Sequence, residues 1–245
     1  MTEQLFRWTG RKIAVTGARG GLGSALVSKL KALGCIVTPV SRGTDWDPSD
    51  HDILFLNAGF GLVQSSADPV LESAIEMFRV NVLDTVNQAQ KALAHRALHV
   101  HVVGSVQAIV SSPHLALYSA SKYALRGWAY GSARELPGRV SISYPNGIRT
   151  NFFTSLQGDP KLLSMYAQQV EATQSMYDDP GAVATGILEG ISWGAREIIP
   201  TQFALEWFTR NGEDIRRMWH PGLQQPSVER WDWWDQIQAY YRSIS

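Results

Sequence analysis

Between a short apolar run, Lys12 to Val15, and the helically spaced SALVSKLKALG lies the stretch TGARGGLG. A strand that passes through a glycine turn straight into a helix is the setting a dinucleotide-binding turn requires. In that setting Gly17 permits the tight turn, Gly21 lets backbone approach a pyrophosphate, and Gly23 lets the helix pack close to the strand. The amides at the helix N-terminus then face the anion. The helical spacing ends at Gly34, a natural stop.

A chain of 245 residues with 44% hydrophobic content can bury the core of one large α/β domain. Its 22 basic and 22 acidic residues cancel, which removes any electrostatic case for nucleic acid or an anionic membrane. The single cysteine, Cys35, permits no internal disulfide and sits in an apolar run, where buried packing is its expected role. His99, His101 and His114 have no carboxylate or cysteine at ligand spacing, so no metal is expected. The opening residues lack an apolar signal core, and no apolar run reaches the ~18 residues of a membrane span. A cytoplasmic protein is the expectation.

A second feature stands downstream: Ser105, then Tyr118 thirteen positions on, then Lys122 four later. Tyr118 and Lys122 at i and i+4 share a helix face, which sets an ammonium beside a phenol. A lysine charge about 4 Å away, at an effective dielectric near 20, favours phenolate by roughly 4 kcal/mol, or about three pKa units. On that count Tyr118 would exchange a proton near pH ~7. LHVHVVGS alternates into a strand that ends at Ser105, so the serine falls at a strand's carboxyl end, where ligands bind in open α/β sheets.

Thr16-Gly17-x3-Gly21-x-Gly23, Leu56-Asn57-Ala58-Gly59, Asn81, Ser105, Tyr118 and Lys122 together resemble the short-chain dehydrogenase/reductase family over about residues 11 to 200. The resemblance implies a single Rossmann-like α/β domain over 1–245, a doubly wound, mostly parallel sheet with helices on both faces. It implies hydride transfer between a nicotinamide cofactor and a carbonyl or alcohol carbon of a small molecule, with Asn81, Ser105, Tyr118 and Lys122 as the catalytic set. Ser105 would bind the substrate oxygen, Tyr118 protonate it, and Lys122 lower the tyrosine pKa and hold the nicotinamide ribose. Asn81 would position a water that resupplies the proton. Gly17, Arg19, Gly20, Gly21, Leu22 and Gly23 would hold the pyrophosphate side, and Asn57, Ala58 and Gly59 the adenosine side. Pro145, Asn146, Gly147, Ile148 and Thr150 would hold the carboxamide. Asn146 departs from the family, which has glycine after the proline; asparagine tolerates left-handed backbone better than most residues.

Cofactor choice turns on the end of the second strand, CIVTPVS, where an acid would select NAD. Ser41 and Arg42 stand there instead, a pair suited to a 2′-phosphate, with Arg19 as a second contact. NADP(H) is favoured, while Asp45 and Asp47 keep NAD(H) open. About a dozen residues then separate Arg42 from ILFLNAG, too few for the helix, strand and helix usual there. The sheet is therefore expected to be shortened around its third strand, with Asp45 reaching adenine and Trp46 covering its ring if Asp45 matches the family's acid. Asp68 is expected to cap one long helix from Pro69 to His95.

Residues 151–178 match the family's substrate lid, and their Phe152, Phe153, Leu156, Met165, Tyr166, Met176 and Tyr177 suit either an apolar or aromatic substrate or mere closure of the core. The outer face of the tyrosine helix, with Ala124, Trp128 and Tyr130, fits the bundle through which members form homodimers or homotetramers. Residues 202–245 form an aromatic extension in which Trp231, Trp234, Ile237 and Tyr241 would share one helix side. Two other readings remain open: a dinucleotide-binding sensor without catalysis, and an isomerase, lyase or epimerase that uses bound cofactor transiently.

Overall fold

The computed structural model describes residues 7–68, 70–95 and 97–210. The first strand, β1 (Lys12–Thr16), runs through the glycine turn into α1 (Gly21–Ala32) and returns as β2 (Ile36–Val40). The next strand, β3 (Ile53–Leu56), is followed by the two-residue β4 (Leu62–Val63) and by α2 (Leu71–Phe78) and α3 (Thr85–Ala94). Then come β5 (His99–Val103), α4 (Ala116–Glu135), β6 (Val140–Ser143) and β7 (Gln157–Gly158). The order closes with α5 (Pro160–Thr173), α6 (Pro180–Ser192), β8 (Glu197–Ile198) and α7 (Gln202–Arg210). Six strands form one parallel sheet in the order β2-β1-β3-β5-β6-β8.

Side chains alternate across a strand, so each strand feeds two layers. Ile13, Val15, Ile53 and Phe55 bury against α1 and α6 through Leu26, Leu30, Val183 and Ile187. Ala14, Leu54, Leu56, Val100 and Val102 turn the other way, onto α3, α4 and α7. The doubly wound sheet is therefore as expected. Cys35 is buried, its thiol donating to the Trp8 carbonyl. Among the described residues, no helix is long and apolar enough to cross a membrane.

The stretch after Arg42 departs from expectation in degree: no third strand forms at all. Gly43 takes φ +84° in a turn closed by Thr44, a single 3-10 turn spans Pro48–Asp50, and the chain enters β3. Trp46 is half-buried beneath this loop, packed against the core and edge-on to His51 at 5.9 Å. As a result β2 is an edge strand, and it carries Pro39.

The predicted long helix forms from Leu71 to Ala94, with a π-helical turn, Arg79–Asp84, in its middle that joins α2 to α3 and carries Asn81. Asp68 does not cap it: α2 starts at Leu71 behind Val70, whose amide donates to Gln64 Oε1 at 3.2 Å. Asp159 and Asp179 are real caps, of α5 and α6. The predicted face of Trp231, Trp234, Ile237 and Tyr241 lies outside the described residues.

Two histidines occupy the sheet centre. His99 Nδ1 faces the Gly138 carbonyl at 3.0 Å, His99 Nε2 and His101 Nδ1 share the Ser141 hydroxyl at 2.7 and 2.8 Å, and His101 Nε2 meets Ser143 Oγ at 3.0 Å. Burial pushes His99 down to about 4 and His101 well below its ordinary 6.5. Both are therefore neutral in the fold and regain ordinary basicity on unfolding. Their contribution is fully present above pH 6.5 and is lost as pH falls toward 4, on the order of 3 kcal/mol from His99 alone. Denaturation midpoints should hold from pH 8 to 7 and drop steeply between 6.5 and 4; a flat profile would contradict the assignment.

Candidate active site

The carboxyl ends of β1, β3, β5 and β6 open on one cleft of about 420 Å³. Its lining includes the glycine turn, Asn57–Gly59, Ser105, Tyr118, Lys122 and the loop from Pro145 to Thr150. The turn is built for close approach. Gly17 has φ +64°, and a Cβ on Gly23 would fall 2.2 Å from the Gly17 carbonyl oxygen. Thr16 Oγ1 accepts from the amides of Asn57 and Ala58 at 2.9 and 3.0 Å, while Asn57 Nδ2 donates back to Thr16 O at 3.1 Å. The ends of β1 and β3 are thereby tied at the cleft floor. At the α1 N-terminus no side chain caps the amides and no acid occupies the first turn, which leaves a positive dipole end directed at the cleft.

α4 buries both Tyr118 and Lys122, each 6% exposed. Lys122 Nζ lies 5.6 Å from the Tyr118 ring centre and donates to the Val103 carbonyl at 3.4 Å. Ser105 and Tyr118 line the same cleft wall. Burial pushes the phenol above its ordinary range, with the Ser105 contact opposing it; burial also brings Lys122 down to about 8. The direction is opposite to the expected depression of Tyr118: desolvation of the phenolate is the largest cause, and Lys122 is not among the causes.

Asn81 is wholly buried behind this pair. Its Oδ1 accepts from Phe60 N at 3.0 Å, and its Nδ2 donates to Phe60 O at 3.0 Å and Ser121 Oγ at 3.2 Å. A Cβ on Gly59 would sit 2.9 Å from Asn81 Oδ1 and 3.8 Å from Lys122 Nζ, so the three are mutual neighbours, though no direct Asn81–Lys122 hydrogen bond forms.

Among the described non-glycine residues only His114 has positive φ, so the backbone at Asn146 does not call for glycine; its Nδ2 is buried without a hydrogen-bond partner. Gly147 is the position that must be small, since a Cβ there would fall 2.8 Å from the Tyr177 ring. Thr150 leans onto the turn, 2.3 Å from where a Gly21 Cβ would stand. In contrast Arg19, Ser41, Arg42 and Asp45 do not line the cleft. Arg42 is exposed and reaches toward α2, where Glu76, held low chiefly by its hydrogen bond from Arg79, also feels its charge. His114 does not border the cleft; its carbonyl accepts from Gln64 N at 3.0 Å.

Gln107, Ser119 and Ser121 carry roles that spacing did not reveal. Gln107 Oε1 accepts from Ser119 Oγ at 2.8 Å and Ser112 N at 2.9 Å, and Nε2 donates to Ser112 Oγ at 2.7 Å. Its own amide donates to Ser105 Oγ at 3.2 Å. Ser121 Oγ, which accepts from Asn81, donates to Tyr118 O at 2.6 Å. Thus the serines within Tyr118-Ser-Ala-Ser-Lys122 do more than permit close packing: one grips the Ser105 turn and the other the π turn. A polar residue two after Ser105 in an otherwise apolar run was the available signal. Gln107→Met would strand one buried and two part-buried polar groups, and should lower unfolding stability by about 2–4 kcal/mol, against about 1 kcal/mol for Ser119→Ala; equal midpoints for Gln107→Met and the native chain would contradict it.

Comparison with known proteins agrees with this geometry. The family model described as short chain dehydrogenase matches residues 49–161, the part that carries Asn81, Ser105, Tyr118 and Lys122. A probable short-chain type dehydrogenase/reductase, VdlC of Helicobacter pylori, is 29% identical over 137 residues, 52% of this chain and 51% of that protein. Oxidoreductase calM of Penicillium decumbens is 29% identical over 115 residues, 42% of this chain and 38% of its own. The match therefore spans about half or less of the length of these relatives. Among solved structures, a short-chain dehydrogenase/reductase of Burkholderia phymatum in complex with NAD superposes with a TM-score of 0.68 at 20% identity, over 86% of this chain and 98% of that one. A short-chain dehydrogenase of Burkholderia cenocepacia in complex with NADP gives 0.68 at 22% identity, over 84% and 95%. With its fold, its glycine turn and Ser105, Tyr118 and Lys122 lining one cleft, the chain is similar to the short-chain dehydrogenases, whose family model matches its residues 49–161.

Proposed function

We propose that the chain is an NADP(H)-dependent reductase or dehydrogenase that interconverts a carbonyl and an alcohol, with Tyr118 as general acid and base. The observation that carries this is the convergence of Ser105, Tyr118 and Lys122 on one cleft beside the glycine turn, with the phenol and the ammonium both buried. The cofactor fits the residues present: the uncapped α1 N-terminus and the glycine turn suit a pyrophosphate. When bound, a nicotinamide dinucleotide supplies or takes the hydride.

The remaining work belongs to the side chains. Ser105 donates to the substrate oxygen and fixes it beside Tyr118. In the reducing direction Tyr118 must be protonated, and its raised pKa keeps it so across the neutral range. As its proton leaves, the Lys122 ammonium stabilises the phenolate in a site of low dielectric. Asn81 acts as a positioning residue through Phe60 and Ser121, and the π turn is its route to the lysine. Residues 151–178 form the substrate lid of a single domain.

Arg19, Ser41 and Arg42 stand at the carboxyl side of β1 and β2 with no acid at the strand end, which supports NADP(H) over NAD(H). Leu71, Ile75 and Leu83 are exposed apolar side chains on and between α2 and α3, and this face, adjoining α4, is the proposed homodimer contact. Sedimentation of the native chain against Ile75→Glu checks it: a monomeric native protein would contradict the assignment.

Tyr118→Phe should lower turnover by at least ~10³-fold and leave NADPH affinity unchanged in a fluorescence titration; near-native turnover would sink the mechanism. Arg42→Ala should weaken NADPH about tenfold and leave NADH alone. Lys122 is charged below about 8 and neutral above, so reductive turnover should be level below that pH and fall above it. Lys122→Met should remove the limb.

A further inference from the structure

Beyond Ser105 and Tyr118 the cleft continues as a chamber under the lid. Leu115, Phe152, Leu156 and Tyr166 close it, packed with Leu62 and Val63 into one apolar cluster that includes Tyr118 itself. The Phe152 ring stands 6.0 Å from that of Tyr118. These walls are pinned: β4 and β7 pair in parallel, Gln157 N donates to Gly61 O at 3.1 Å, and Asp159 N donates to Val63 O at 3.0 Å.

The polar groups in the chamber wall are already engaged. Tyr166 OH donates to the Pro113 carbonyl at 2.7 Å, Ser155 Oγ to Phe152 O at 2.9 Å, and both ends of the Gln107 amide are bound to protein. The unpartnered Asn146 Nδ2 belongs to the loop proposed to hold the carboxamide, and Asn151 is exposed at the rim. Among the described residues, Lys122 is the only charged side chain of the lining, and its ammonium donates away to Val103 O. Arg149, the nearest arginine in sequence to the lid, pairs with Asp179 at 3.8 Å.

Resting on the proposed roles of Ser105 and Tyr118, we infer that the substrate is an uncharged ketone, or its alcohol, whose remaining surface is apolar. The chamber offers hydrogen bonds to one oxygen and hydrocarbon to everything else. A carboxylate or phosphate beside the carbonyl would be buried with no free cation among the described residues of the wall to meet it, and a polyol would leave hydroxyls stranded. Aromatic ketones fit the Phe152 and Tyr166 walls best.

Binding to the protein with NADP⁺ separates this from catalysis. Propiophenone, its carboxylate counterpart benzoylformate, and glucose are titrated by ligand-observed NMR. Propiophenone should bind at least 100-fold more tightly than either of the others. Leu156→Arg, which places a guanidinium in the wall, should narrow the propiophenone–benzoylformate gap at least tenfold. Benzoylformate or glucose binding as tightly as propiophenone in the native chain, or no binding of propiophenone, would overturn the inference; the native ranking needs no variant to fold. Reduction of propiophenone undiminished in Tyr118→Phe would instead overturn the proton-transfer reading and leave the ranking standing.

Discussion

The site depends on keeping a lysine out of water. Lys122 is almost fully buried and drops to about 8, so at neutral pH the fold carries an ammonium at a cost of roughly 3 kcal/mol. The two apolar layers on either face of the sheet offset that cost. Burial of the lysine also dictates geometry. To reach the Val103 carbonyl, α4 must lie across the end of β5, and this sets Tyr118 one turn earlier over Ser105. Ser119 and Ser121 then fasten the two flanks of that turn, to Gln107 and to Asn81.

The electrostatics of the pair are those of a dry site. In water the lysine would draw the phenol toward ionisation; here both groups are driven toward their neutral forms, the phenol upward and the ammonium downward. A site so arranged is poised to release a proton only when negative charge arrives on a neighbouring oxygen, which matches chemistry at a carbonyl better than at a group already ionised.

Local features were legible in the sequence because they are fixed by a few bonds. The glycine turn, the i, i+4 tyrosine and lysine, and the serine at a strand end all depend on spacing within about twenty residues, and the structure brings them to one cleft. Features that resisted reading depend on distant chain. The proton affinity of Tyr118 is set by lid residues such as Phe152 and by Leu62 and Val63, far from it in sequence. Gln64 binds the amide just before α2, and Asn146 stands in glycine's place at a backbone φ that only the closed loop fixes. Gln107 has the look of one more loop residue until its three partners are in place.

Among the described residues no strand pairs with the outer edge of β2, and that edge governs how the chain behaves among its own copies. The amide of Ile36 and the carbonyl of Val40 both bond toward β1, so in a parallel strand the alternate positions, Val37 and Pro39, turn their backbone outward. Pro39 has no N–H to offer, which leaves Val37 as the one outward donor within the strand. A neighbouring molecule that tried to extend the sheet would find too few hydrogen bonds to hold register. The shortened sheet thus ends in a strand that closes itself to further growth.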